Sequence, residues 1–105
     1  MMLLTKENRR DLPKIGAQEH LGDQAVAYVK FFDPSGRLTY YITEFDGEDT
    51  LFGFMVSPLG ADCDEWGYSS LNELAHVKGR FGLGIERDYH FRPTVMRDIV
   101  SCPGR

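Results

Sequence analysis

The chain has 105 residues, 42% apolar and 27% charged, with one Trp, five Tyr and seven Phe; that suffices for one domain around one core and excludes general disorder. The longest strongly apolar run, residues 51–56, falls far short of the roughly 20 residues of a membrane helix, and Lys6, Glu7, Arg9, Arg10 and Asp11 come too early for a signal peptide. The net charge of −4 is uneven: residues 38–77 hold eight acids (Glu44, Asp46, Glu48, Asp49, Asp62, Asp64, Glu65, Glu73) and no Lys or Arg, the pattern of an acidic surface that would meet a basic partner. The expectation is a single domain over 1–105, soluble and cytoplasmic, with no membrane partner.

In chain order, Thr5 is a good N-cap for a short polar helix through Asp11, which Leu12-Pro13 stops. Residues 14–23 read as a loop. Residues 24–32 (QAVAYVKFF) are β-branched and aromatic and apolar on both faces, which predicts a central strand. Asp33-Pro34-Ser35-Gly36 is a turn, and residues 37–45 alternate Leu38, Tyr40 and Ile42 with Thr39, Tyr41 and Thr43, completing a hairpin. After the acidic turn 46–49, residues 50–57 form a third strand ended by Pro58, with Phe52, Phe54 and Val56 on one face. Residues 65–68 (EWGY) suit a short fourth strand. Ser70 and Glu73 have capping-box spacing for a helix to about Val77 with Leu71 and Leu74 buried. Residues 85–91 alternate as a charged strand near an edge, and Pro93 opens a final helix over 94–101 with Val95, Ile99 and Met96 inward. The fold class that follows is α+β: an antiparallel β-meander sheet of four to five strands with two to three short helices on one face.

Chemical motifs are sparse. Cys63 and Cys102 have no CxxC partner and read as free thiols of a reducing compartment. His20, His76 and His90 fall on separate elements without metal-ligand spacing, so no metal and no cofactor is expected. Phe52-Gly53-Phe54 has the aromatic-Gly-aromatic form of an RNA-recognition strand, but Glu48 and Asp49 flank it, so both Phe side chains are assigned to the core and Gly53 to close backbone packing. Gly79-Arg80-Phe81-Gly82 has the GXXG form of a KH loop and is read as a helix end and turn. Glu44, Glu65, Glu86 and Asp88 would serve acid–base work only if their strands converge; ordinary ion pairing, with Glu44 to Lys30 across the hairpin, is preferred.

Taken together, the opening LLTKENRRDLP, the blocks YVKFF (28–32) and YYITEFD (40–46), Phe52-Gly53-Phe54, EWGYSSLNEL (65–74) and GLGIERDYHFRP (82–93) resemble a small bacterial family of domains of unknown function. That family is carried on conjugative plasmids, integrative elements and prophages. The resemblance covers nearly the whole chain and implies a role in mobile-element biology, without an activity, cofactor or catalytic residue. Gly84 stands where the family block has Pro, so no rigid turn is expected there.

The expected function is a non-catalytic protein-binding accessory module for DNA transfer, maintenance or defence evasion. It would dock a basic protein through an acidic and aromatic surface of Glu44, Glu65, Trp66, Tyr68, Arg87 and Asp88, with Trp66 partly exposed as its anchor. An exposed strand edge would also admit a second copy of the chain. The second reading is weak nucleic-acid binding through the N-terminal helix and residues 78–105, with Arg9, Arg10, Lys14, Lys78 and Arg80 on phosphate; a small carboxylate enzyme ranks third.

Overall fold

The computed structural model of the chain describes residues 3–78 and 82–101. It is an α+β fold whose main sheet has five strands, all pairs antiparallel. Helix α1 (Lys6–Asp11) starts where Thr5 accepts the Asn8 amide, and the Asn8 side chain returns the bond to the Thr5 amide. This reciprocal cap satisfies two orphan amides of a helix too short to stand alone.

The run expected as one strand over 24–32 is divided. Strand β1 (Val26–Ala27) and strand β2 (Val29–Phe32) are separated at Tyr28, and residues 19–24 form a 3-10 segment kinked at Gly22. Both halves are paired, but with different partners. Strand β2 joins β3 (Thr39–Phe45), which joins β4 (Thr50–Val56), which joins β5 (Glu65–Ser70). The expected 24–32, 37–45, 50–57 antiparallel order is thus present, and β5 runs directly into α2 (Leu71–His76).

Two expectations at the C-terminal end are corrected. Of residues 85–91 only β6 (Glu86–Arg87) is strand; it pairs with β2 at the sheet edge, and the Asp88 carboxylate then bends the chain by accepting the His90 amide. The final helix over 94–101 is absent. Strand β7 (Thr94–Val95) pairs with β1, and a 3-10 turn at Met96–Asp98 follows. The Val95 and Ile99 spacing suits a helix, but the Ala25 carbonyl accepts the Met96 amide at 2.8 Å, drawing the segment into a strand and burying Met96 completely.

The sheet order is β5-β4-β3-β2-β6. On one face Val29, Phe31, Ile42 and Leu51 pack with Leu3, Leu4 and Leu12 around α1 and with Leu71 and Leu74 of α2. Both α-helices therefore cover the same face. On the other, Tyr41, Phe54 and Trp66 pack with Ala27, Met96, Ile99 and Val100. Phe52 and Phe54 are both buried. Pairing steps by one residue between Ile42 and Glu44, and across this irregularity Tyr41 to Phe45 are all buried.

Candidate functional site

Strand order decides which of the expected site residues meet. Glu65, Trp66 and Tyr68 lie on β5 at one edge of the sheet; Arg87, on β6, and Asp88, just after it, lie at the other. Four strand spacings separate these edges, about 19 Å, so the two groups do not share a surface. Glu44 joins neither. It is fully buried, and its carboxylate accepts the Gly16 amide at 2.6 Å and the Gln18 amide at 3.2 Å. It anchors the loop after α1. The cross-hairpin pair with Lys30 is likewise corrected: Lys30 stands opposite Tyr41, and its ion pair runs to Asp88 at 3.8 Å.

The β5 group forms a coherent surface. Register places Trp66 beside Phe54 and Tyr68 beside Phe52, all on one face. Trp66 meets the Phe54 ring edge-on at 5.4 Å and stacks on Phe52 at 5.9 Å, while Tyr68 meets Phe52 edge-on at 4.9 Å. Such contacts stabilise by about 0.5 to 1.5 kcal/mol each beyond area burial. Trp66 is therefore partly exposed, as its acidic neighbourhood suggests, but it also closes the core. Tyr68 is different: 68% of it is exposed, so the most accessible ring on this edge is the tyrosine.

The acids of residues 38–77 divide by role. Asp46 accepts the amides of Glu48, Asp49 and Thr50, and the first of these bonds is the main reason its carboxyl lies below the usual carboxylate range. Asp49 accepts the Ser70 hydroxyl at 2.6 Å and the Asn72 amide at 2.7 Å, and Ser70 in turn accepts the Glu73 amide, so two side chains cap α2. Asp64 receives both Arg37 Nη atoms at 3.0 Å and the Ser57 amide at 2.7 Å; Arg37, which also bonds the Ser57 carbonyl, holds the Asp64 carboxyl low. With Glu44, these are loop-holding groups. Glu48, Asp62, Glu65 and Glu73 have no ion pair or side-chain hydrogen bond among the described residues, and remain to give the surface its charge.

At the far edge, Arg87 donates to the Leu3 carbonyl at 2.8 Å and lies 5.0 Å from the Tyr89 ring centroid. With Asp88 it borders a polar cavity of about 220 Å³ that Thr5, Asn8, Tyr28 and Arg92 also line. The basic residues of the second reading are interleaved with acids. Arg9 lies over the Phe45 ring at 5.5 Å and shares a hollow with Glu48 and Asp49; Arg10 pairs with Asp11 at 3.0 Å; Lys78 shares a hollow with Glu86. Lys14 is exposed. Arg80, the centre of the GXXG pattern, and Cys102 lie outside the described residues.

Among the described residues no group of three or more His, Cys, Asp or Glu is placed to hold a metal ion, and no helix is long and apolar enough to cross a membrane. Glu65 and Glu86 fall on opposite edges, so the four carboxylates considered for acid–base work do not converge. Two structural residues carried no sequence signal. Gln18, 6% exposed, donates to the Val26 and Thr43 carbonyls and accepts the Val26 amide, joining the loop to β1 and β3. Asp49 as a cap for α2 is likewise non-local, since 21 residues separate it from Ser70.

The chain belongs to a family described as a protein of unknown function, DUF2958, whose model matches residues 3–99. No curated protein and no solved structure matches it.

Proposed function

We propose that the protein is a non-catalytic protein-binding module, an accessory of a mobile genetic element in DNA transfer, maintenance or defence evasion, which docks a basic protein along β5. The observation that carries the reading is Tyr68: a large ring, 68% exposed on the terminal strand, in edge-on contact with Phe52 behind it. Exposed aromatics in an acidic surround are the composition of a charge-steered interface. The mobile-element setting rests on the resemblance of the sequence blocks.

The test is capture of proteins by the immobilised chain from cells carrying a conjugative element, compared with Tyr68→Ala and Glu65→Lys. The expected result is a basic protein held by wild type and lost with Tyr68→Ala at an unchanged melting temperature, with Glu65→Lys slowing association in a salt-dependent way. Trp66→Ala is the contrasting variant, since its contacts with Phe52 and Phe54 make it lower the melting temperature as well. Equal capture by Tyr68→Ala would refute the reading, as would nanomolar nucleic-acid binding at about 150 mM salt.

A further inference from the structure

The face of β5 opposite its aromatics holds a feature the fold does not use. In register, Tyr40, Met55 and Glu65 stand side by side across β3, β4 and β5, and the next row is Ile42, Gly53 and Gly67. Two adjacent glycines leave a notch of about 90 Å³ bordered by Tyr40, Met55 and Glu65, with Tyr68, next along the strand, also at its margin. That volume is the scale of one side chain and below that of a cofactor pocket.

The two glycines have different reasons to be there. A methyl group at Gly53 would run into the Tyr41 carbonyl, so packing requires glycine. At Gly67 an added Cβ would meet nothing within 4 Å, and its backbone is not in the left-handed region. Neither packing nor conformation demands glycine at Gly67, yet glycine weakens a strand. An unexplained strand glycine is a mark of close approach by a ligand or another backbone.

Strand β5 is terminal, and its outer edge carries neither Lys nor Pro to discourage pairing. Strands β3, β4 and β5 have no Lys or Arg of their own. The Glu65 carboxylate at the notch rim has no hydrogen bond or ion pair among the described residues.

We propose that β5 accepts an extended basic segment of the partner as an added strand, and that the notch over Gly53 and Gly67 receives one lysine or arginine side chain of that segment. Its alkyl stem lies on the glycines alongside Tyr40 and Met55, and its cation meets Glu65. Alternation then points the segment's intervening residues at Trp66 and Tyr68 on the other face. This assignment rests on the β5 docking reading and names its partner chemistry.

The probe is the blocked heptapeptide acetyl-Thr-Val-Lys-Val-Lys-Val-Thr-amide, titrated into the ¹⁵N-labelled full chain, with a norleucine analogue that keeps each stem and removes each charge. Expected are saturable shifts centred on the amides of Tyr40, Gly53, Met55, Glu65 and Gly67. The norleucine peptide and Glu65→Gln should each weaken binding about two- to fivefold, the range for an exposed ion pair. Gly67→Val fills the notch; it should keep or raise the melting temperature and weaken the lysine peptide at least about tenfold. Absence of peptide binding, shifts centred elsewhere, or undiminished binding by Gly67→Val would overturn the assignment. So would a β5-paired dimer of the chain that excludes the peptide, which would give the edge to a second copy. Loss of the captured partner with Tyr68→Ala but not with Gly67→Val would reject the notch and leave the β5 reading standing; retention with both variants would reject both.

Discussion

Gly53 and Gly67 stand directly opposite each other on β4 and β5, and the same substitution at each should have opposite effects. A methyl group at Gly53 collides with the Tyr41 carbonyl oxygen and comes within 2.9 Å of the Tyr41 carbonyl carbon and 3.0 Å of Ile42 Cα. All three obstacles are backbone, so no rotamer change relieves them; β3 and β4 must separate. Overpacking commonly costs about 1 to 3 kcal/mol, and each backbone hydrogen bond weakened by the separation adds about 1 kcal/mol. Gly53→Ala should therefore lose about 3 kcal/mol or more, a large share of the 5 to 15 kcal/mol typical of a domain. At roughly 4 to 8 °C per kcal/mol the melting temperature should fall by at least about 12 °C. Gly67→Ala meets open space and should gain about 0.4 to 1 kcal/mol by restricting the unfolded chain. Urea unfolding followed by circular dichroism, with the slope compared between variants, measures both. Similar effects at the two positions, or a Gly53→Ala loss below about 1 kcal/mol, would refute the close approach of β3 to β4 on which the notch depends.

Two further outcomes follow from the loop-holding carboxylates. Glu44→Ala strips the Gly16 and Gln18 amides of their acceptor, at about 1 to 3 kcal/mol for the buried Gln18 amide and less at Gly16, which is exposed to water; Glu44→Gln, keeping one acceptor, should lose less, and hydrogen exchange at these two amides should quicken in proportion. Asp46 and Asp64 both have carboxyls lowered in the folded chain, so the unfolded chain takes up protons first: their contribution is complete above the ordinary Asp value of about 3.9 and is lost as pH falls through the lower folded values. The urea midpoint should fall on acidification into that window, and Asp64→Asn should show a shallower fall; an identical fall would remove the Arg37–Asp64 pair from the account.

Much of the architecture was legible in short stretches of chain. Alternation in residues 37–45 and 50–57 placed β3 and β4 to within two residues, because a strand with two different faces writes its period of two into the side chains. Thr5 and Ser70 located both helix starts, since a cap is a bond between near neighbours. Gly53 could be read as a close-packing glycine from its place between two core aromatics.

What stayed illegible is non-local. Residues 24–32 carry no turn or breaker residue, so nothing in them shows that Val26 pairs with Val95 while Val29 pairs with Ile42. The helical spacing of Val95 and Ile99 was outweighed by one carbonyl contributed from Ala25. Glu44 has the composition of a surface acid and is interior because a loop 26 to 28 residues away supplies two amides. The candidate site divided for the same reason. Glu65, Trp66 and Tyr68 and their acidic surround are contiguous in sequence, so charge and aromatic content alone marked them; whether Arg87 and Asp88 could join them depended on strand order. Local sequence determines which residues form a strand and which face each side chain takes, because those follow from backbone geometry at the residue itself. Strand order is settled by which edges remain free to hydrogen-bond once the core is packed, and only the tertiary structure could put β5 and β6 at opposite ends of the sheet.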